Sequence, residues 1–336
     1  MGTGFPRPSF GGLGAENDAS LGRSLFGRTS GPLSRISWLV TAVQARPIAM
    51  PALRHDATVH IVPMYPLDIS GRRFAVARLD AGAAMRRIDY DTEQHQDYAR
   101  GRALTEQQMQ VWISAFGAVL PERRPLAGLD VGSGTGRFTP ALARAFGPVT
   151  GVEPSVRMRE IAQAQSRHPG VRYLAGSAED MPVPSGSADY ALMFLSWHHV
   201  QDKPLAAREL ARVLRPGGRL LLRANFSDHH PRPWWLEHFP RGFEVDASLF
   251  QPLHEVIAMF TSDGWRVASF GTVTEPSSGT RGDMLERLRL RTLSFFAHLS
   301  PDETEAGFRR LEQAVAADPG APAPVFSEPL LTLERR

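Results

Sequence analysis

The chain has 336 residues, 42% of them hydrophobic, which is enough for one substantial core with material left over. It has no cysteine, which excludes disulfides, a thiolate nucleophile and cysteine-ligated zinc. Nine arginines face five acids in residues 1–83, while the remainder carries 29 basic and 30 acidic residues. That near-neutral remainder lacks the basic stripe of a nucleic-acid binder and points to a small-molecule substrate.

Gly, Pro, Ser and Arg dominate residues 1–35, a composition that predicts disorder. The apolar run Ile36 to Val43 is too short to cross a bilayer and starts too far along the chain for a secretory signal. Residues 1–83 are read as a disordered extension, and a cytoplasmic protein with no membrane contact is expected. Residues 84–120 form a helical lid. Within 92–120, Met109, Trp112, Ile113, Phe116 and Leu120 recur at three- and four-residue spacing, an amphipathic stripe.

The core, 121–336, opens on an apolar strand from Pro125 to Leu129 that runs into Asp130. Gly132, Gly134 and Gly136 follow at two-residue spacing, and Phe138, Leu142 and Phe146 recur four apart on a helix. This strand, glycine loop and helix let a ligand approach the backbone closely. The dinucleotide fingerprint leaves two residues before its third glycine, whereas this loop leaves one. A second strand, Pro148 to Val152, ends at Glu153, an acid suited to paired ribose hydroxyls. Ser155 is the expected N-cap of a helix Val156 to Gln165. A third strand, Val171 to Ala175, leads into GSAEDMPVPSGSAD (176–189). The apolar run Tyr190 to Leu195 reads as a strand buried on both faces, and it ends in SWHHVQD. A helix 204–214, a turn RPGG (215–218) and a strand 219–224 come next.

These five segments, in this order, resemble the class I S-adenosylmethionine-dependent methyltransferases, in particular the quinone-biosynthesis and trans-aconitate type. The resemblance covers about 85 to 275. It implies an α/β Rossmann-like fold: a seven-stranded, mostly parallel sheet, its last strand antiparallel, with helices on both faces. It implies S-adenosylmethionine as cofactor. Asp130, Gly132, Ser133, Gly134, Thr135 and Gly136 would cradle it, with Glu153 and Pro154 at the ribose. Ser177, Ala178 and Glu179 would border the adenine, Ser177 standing where relatives usually carry Asp. Phe194 and Leu195 would line the cofactor edge, and Tyr98 and Arg102 would approach its methionine end from the lid.

Two insertions are expected at the carboxyl end of the sheet, at about 225–250 and 277–320. The first crowds Trp234, Trp235, Phe239 and Phe243 among prolines and histidines. With Trp197 and His230, these aromatics are candidates for an acceptor pocket, the alternative being that they pack the insertion onto the core. A helix 252–263, a strand 265–275, helices 281–298 and 302–317 and a final strand Val325 to Glu334 complete the chain. Methyl transfer to a hydroxyl can require a base, and His198 and His199 are the candidates at the end of the fourth strand, with His229 and His230 as rivals. No metal site is expected. The leading expectation is a methyltransferase acting on a small, partly apolar metabolite. A non-catalytic protein that binds S-adenosylmethionine and a nicotinamide oxidoreductase are the alternatives.

Overall fold

In chain order the strands are β1 (Val59–His60), β2 (Gly128–Val131), β3 (Val149–Glu153), β4 (Val171–Ala175), β5 (Ala188–Phe194), β6 (Leu214–Arg223), β7 (Trp265–Thr274) and β8 (Ser327–Arg335). This is a computed structural model; the residues described are 59–60, 91, 95–277, 279–325 and 327–336. All strands join one mixed sheet in the order β1-β7-β8-β6-β5-β2-β3-β4. Strands β2 to β6 pair in parallel, and β8 runs antiparallel to both β6 and β7. The expected seven strands are present, and β1 adds a two-residue eighth at the edge, antiparallel to β7. Apart from Val59 and His60, the extension 1–83 lies outside the described residues.

The helices are α1 (His95–Gly101), α2 (Glu106–Val119), α3 (Thr139–Phe146), α4 (Val156–Gln165), α5 (Lys203–Val213), α6 (Gly242–Ser248), α7 (Leu253–Ser262), α8 (Arg281–Arg289) and α9 (Pro301–Ala316). Ser155 caps α4, accepting from the Met158 N–H at 3.1 Å. Asp202 caps α5 by accepting from the Leu205 N–H at 2.9 Å, with a proline in the first turn.

Two expected helical segments, the lid and 281–298, are each divided. The lid is a pair of helices: Thr105 and Gln108 form a reciprocal capping box that starts α2, and α2 with its cap carries the whole Met109–Leu120 stripe. The segment 281–298 ends its α-helix at Arg289. Arg291 takes a left-handed φ of 50°, and a short 3-10 helix, Ser294–His298, follows.

The sheet's alternation sorts its side chains onto two faces. Tyr190 and Leu192 of β5 and Leu221 of β6 pack with Trp112 and Phe116 of α2 and Phe138 and Leu142. Ala191, Met193, Leu220 and Leu222 face the opposite layer, with Leu210 of α5 and Phe260 of α7. The two insertions share an apolar cluster of their own, in which Trp235, Phe239 and Leu249 meet Phe295, Phe308 and Leu311. They therefore build one cap rather than two separate additions.

Strand order reverses between β2 and β5, because β3 and β4 are added on one side of β2 before the chain crosses back. Open α/β sheets leave a crevice at the carboxyl ends of the strands at such a switch point, and the glycine loop sits there.

Candidate active site

The glycine loop needs glycine at each of its three positions. Gly132, Gly134 and Gly136 have φ of 71°, 57° and 76°, all left-handed. A methyl group on Gly132 would strike Ser196, and one on Gly136 would strike Tyr173 and Ser166. Around Gly134 the space is open, and its nearest neighbour is the Tyr98 ring, 4.0 Å from where a methyl would stand. Gly134 therefore leaves a cradle that a side chain would fill, with a lid aromatic above it.

Glu153 closes this cradle from the end of β3. Its carboxylate accepts from the Gly134 N–H at 2.8 Å and the Ser155 N–H at 2.9 Å. Burial raises its pKa, against the pull of those two backbone donors. A backbone-anchored carboxylate beside the open space at Gly134 offers acceptor lone pairs that suit the paired hydroxyls of a ribose.

Several expected cofactor residues also make hydrogen bonds or core contacts of their own. Asp130 is buried and accepts from Thr139 Oγ1 at 2.6 Å, bridging β2 to the first turn of α3, and burial pushes its pKa up to about 6. Thr135 presents its carbonyl to Ser166 Oγ. Ser133 is buried behind the loop. At the third strand's end, Ala178 is part of the core, and Ser177 Oγ accepts from the Glu179 N–H in a tight turn. Glu179 accepts from the N–H groups of Gln201 and Asp202 at the entry to α5, where backbone donors have no helical partner. Pro154 is exposed beside Ser155. Sequence reasoning missed Asp91, which accepts from Ser155 Oγ at 2.6 Å and ties the lid to the start of α4.

Beyond Phe194 and Leu195 opens a cavity of about 220 Å³, roofed by the cap. Leu195 stands at a left-handed φ of 56°, an uncommon conformation for a branched residue, and such strain concentrates at functional sites. Of the expected acceptor residues, Trp235 and His230 line this cavity. Trp197, Trp234 and Phe239 do not. Trp197 is buried against Phe260. Phe239 is the hub of the cap, edge-on to Phe295, Phe296 and Phe308. Trp234 lies under the Arg281 guanidinium at 5.8 Å. Trp234 and Phe239 follow the packing alternative, because a cap with its own apolar cluster must bury its aromatics, while Trp197 belongs to the main core.

His198 lines the cavity and His199 does not; the two rings lie 3.9 Å apart. Burial, then the neighbouring His199 and Arg102, holds His198 well below the usual imidazole pKa. Burial and then Arg102 and Lys203 push His199 down to about 4. Both are neutral at pH 7. His230 is different: its Nε2 meets Asp246 Oδ2 at 2.6 Å, and its Nδ1 accepts from the Arg232 N–H at 3.1 Å.

The cavity also holds charged groups that the sequence did not single out: Arg137, Arg223, Glu275, Arg287 and Glu328. Arg223 carried a signal that could have found it. A charged residue at the carboxyl end of an apolar parallel strand sits where such sheets bind ligands. Its side chain is 3% exposed, pairs with Glu328 and donates to Asn225 Oδ1 at 2.8 Å. Burial lowers its pKa to about 9. Glu275 accepts from Trp112 Nε1 at 2.5 Å and Gln108 Nε2 at 2.9 Å.

The neutral histidines give stability a pH signature. A histidine whose folded pKa lies below its unfolded value of about 6.5 stabilises the fold above that pH, and the contribution is lost as pH falls. For His199 the window runs from about 6.5 to about 4. Asp130 and Glu153 shift the opposite way, but they are common to wild type and a His199→Asn variant and cancel in the comparison. Lowering the pH from 6.5 to 5 should favour the variant over wild type by about 2 kcal/mol, from roughly 1.4 kcal/mol per pH unit. Urea unfolding at pH 7, 6 and 5 measures this, and a pH-independent difference would show that His199 is not held neutral.

Comparison with known proteins agrees with the geometry. Residues 129–222 match the family described as a methyltransferase domain. An O-methyltransferase of Aspergillus nomiae is 32% identical over 155 residues, 44% of this chain and 68% of the relative. An uncharacterized methyltransferase of Mycobacterium tuberculosis is 41% identical over 100 residues, 30% of this chain; the match spans only 40% of that relative's length. A candidate methyltransferase from an antibiotic biosynthesis pathway of Anabaena variabilis shares the fold. Its TM-score is 0.56 at 24% identity, covering 68% of this chain and 100% of its own. Among the described residues no helix is long and apolar enough to cross a membrane, and no group of three or more His, Asp or Glu could hold a metal ion. The loop, the switch point, the strand order and these matches together place the chain in the class I S-adenosylmethionine-dependent methyltransferases.

Proposed function

We propose that this protein binds S-adenosylmethionine at the glycine loop and transfers its methyl group to a small, partly apolar acceptor held in the cavity under the cap. The observation that carries this reading is adjacency. Phe194 and Leu195 end β5 beside the loop and also line the cavity, so a cofactor on the loop and an acceptor in the cavity would meet there. Bound cofactor supplies a methyl group on a sulfonium, which leaves by in-line displacement, so positioning contributes much of the rate.

The chain's residues divide this work. The glycines open the backbone to the cofactor, and Glu153 stays anchored to the Gly134 and Ser155 amides with lone pairs free for ribose hydroxyls. Tyr98 covers the loop, and Arg102 offers a guanidinium to the amino-acid carboxylate. Ser177 and Ala178 border the adenine. Phe194, Trp235 and Phe250 form apolar walls for the acceptor and exclude water from it.

A hydroxyl acceptor must also lose a proton. His198 is a poor destination, because burial and Arg102 make its charged form costly. The Asp246 carboxylate suits the role better, since it lines the cavity and keeps lone pairs beyond its 2.6 Å contact with His230 Nε2. The Aspergillus relative, an O-methyltransferase, supports an oxygen acceptor.

Transfer of a radiolabelled methyl group from S-adenosylmethionine to a panel of small phenols and carboxylic acids tests the function. Asp246→Asn should lower kcat for a phenol by about a hundredfold, the usual worth of a positioned base. His198→Asn should change it much less. The reverse ranking would move the proton acceptor to His198.

A further inference from the structure

Four arginines reach the cavity from separate elements: Arg102 after α1, Arg137 ahead of α3, Arg223 at the end of β6 and Arg287 on α8. Three carboxylates line it, and each is already engaged. Asp246 holds His230, Glu328 pairs with Arg223, and Glu275 accepts from Trp112 and Gln108. Among the described residues no carboxylate comes within 4.0 Å of Arg102 or Arg137. The Arg102 and Arg137 charges act on each other and on Arg223, and like charges gathered away from water repel strongly.

The Nε of Arg223 is buried with no hydrogen-bond partner, and so is the Nε of Arg102. A buried donor without an acceptor is costly, so such atoms mark where a ligand's acceptor belongs. If the cofactor's own carboxylate meets Arg102, the Arg223 Nε donor still lacks an acceptor, and Arg287 reaches the same cavity from the cap.

We propose that the acceptor carries a carboxylate, held at the cap side of the cavity by Arg223 and Arg287. The proposal rests on reading the cavity as the acceptor site. Phe194, Trp235, Phe250 and Leu288 line the same space and suit an aromatic or branched aliphatic body, so the substrate class is a small apolar carboxylic acid. Arg and carboxylate match as planar, charge-assisted partners, and a neutral amide of the same shape loses that match.

The test is calorimetric titration of the full chain with 2-naphthoate and with 2-naphthamide, with and without saturating S-adenosylhomocysteine. With S-adenosylhomocysteine bound, the acid should bind at least tenfold more tightly than the amide. Arg287→Gln should remove most of that difference while leaving S-adenosylhomocysteine affinity unchanged, and Arg287→Lys should keep part of it. The acid–amide comparison in the unaltered chain stands even if the variants fold poorly. Equal affinities, or binding of neither, would overturn the proposal. So would displacement of 2-naphthoate by S-adenosylhomocysteine, which would assign the arginines to the cofactor's carboxylate. Preference for the acid in a chain that does not bind S-adenosylhomocysteine would keep the anion site and sink the methyltransferase reading.

Discussion

Gly134→Ala is expected to abolish useful cofactor binding in a protein that still folds. Gly134 has a left-handed φ of 57°, and an alanine there costs about 1–2 kcal/mol of stability. Nothing but the Tyr98 ring lies within 4 Å of the added methyl, so the fold itself has room for it. The methyl would stand in the cradle between the loop and the lid, where the ligand must approach the backbone. Overpacking of this kind costs about 1–3 kcal/mol, so affinity for S-adenosylhomocysteine should fall by up to about a hundredfold. Gly136→Ala is the contrasting variant. Its methyl would strike Tyr173 and Ser166, so the loss should appear first in stability. Calorimetric titration and thermal melting of the two variants separate these outcomes. Unchanged affinity in Gly134→Ala would remove the loop from the binding site.

The second large effect concerns the buried pair at the carboxyl end of β6. Arg223→Met should destabilise the protein by about 3–5 kcal/mol, because it leaves Glu328 buried without its counter-charge. The double variant Arg223→Met/Glu328→Met should recover most of that loss, since neutral side chains of similar size can replace a buried ion pair with little net cost. Urea unfolding of the single and double variants reads the coupling directly. If the single substitution costs less than about 1 kcal/mol, the pair is not desolvated and the cavity wall is wetter than described.

These two sites differ in how far the sequence revealed them. The glycine loop was legible because its function lies in local backbone conformation, which three glycines at fixed spacing specify. The strands around it were legible for a related reason. Runs such as Tyr190 to Leu195 must be apolar when both faces are covered, and helix starts such as Ser155 carry their own capping chemistry. The hydrogen bonds of Glu179 were not legible, because they depend on where α5 begins in space and no local spacing encodes that. The aromatics of 225–250 were ambiguous for a deeper reason. Trp235 and Phe239 are four residues apart in one cluster, yet one faces the cavity and the other fills the cap. Composition is the same for both uses, and only the partner insertion, with Phe295 and Phe308, decides between them. The cavity's polar and charged lining was the least legible part. Gln108, Arg223, Glu275 and Arg287 come from four elements and converge only when the sheet, the lid and the cap are assembled.

The interruption near Thr105 follows the same logic. The spacing from Met109 to Leu120 marks α2, and the Thr105–Gln108 capping box sets where it begins. The break lets α1 bring Tyr98 over the glycine loop and Arg102 to the cavity, while α2 stays packed on the sheet. A lid of this form couples cofactor and acceptor sites through one short helix.

The central claim is that the loop and Glu153 bind S-adenosylmethionine next to the capped cavity. Calorimetric titration of the full chain with S-adenosylhomocysteine, with NADH run in parallel, tests it most directly. The account predicts micromolar binding of S-adenosylhomocysteine at one site per chain, weakened by Glu153→Ala, and no binding of NADH. Binding of NADH without S-adenosylhomocysteine would contradict it, and the loop would then have to be read as a dinucleotide site.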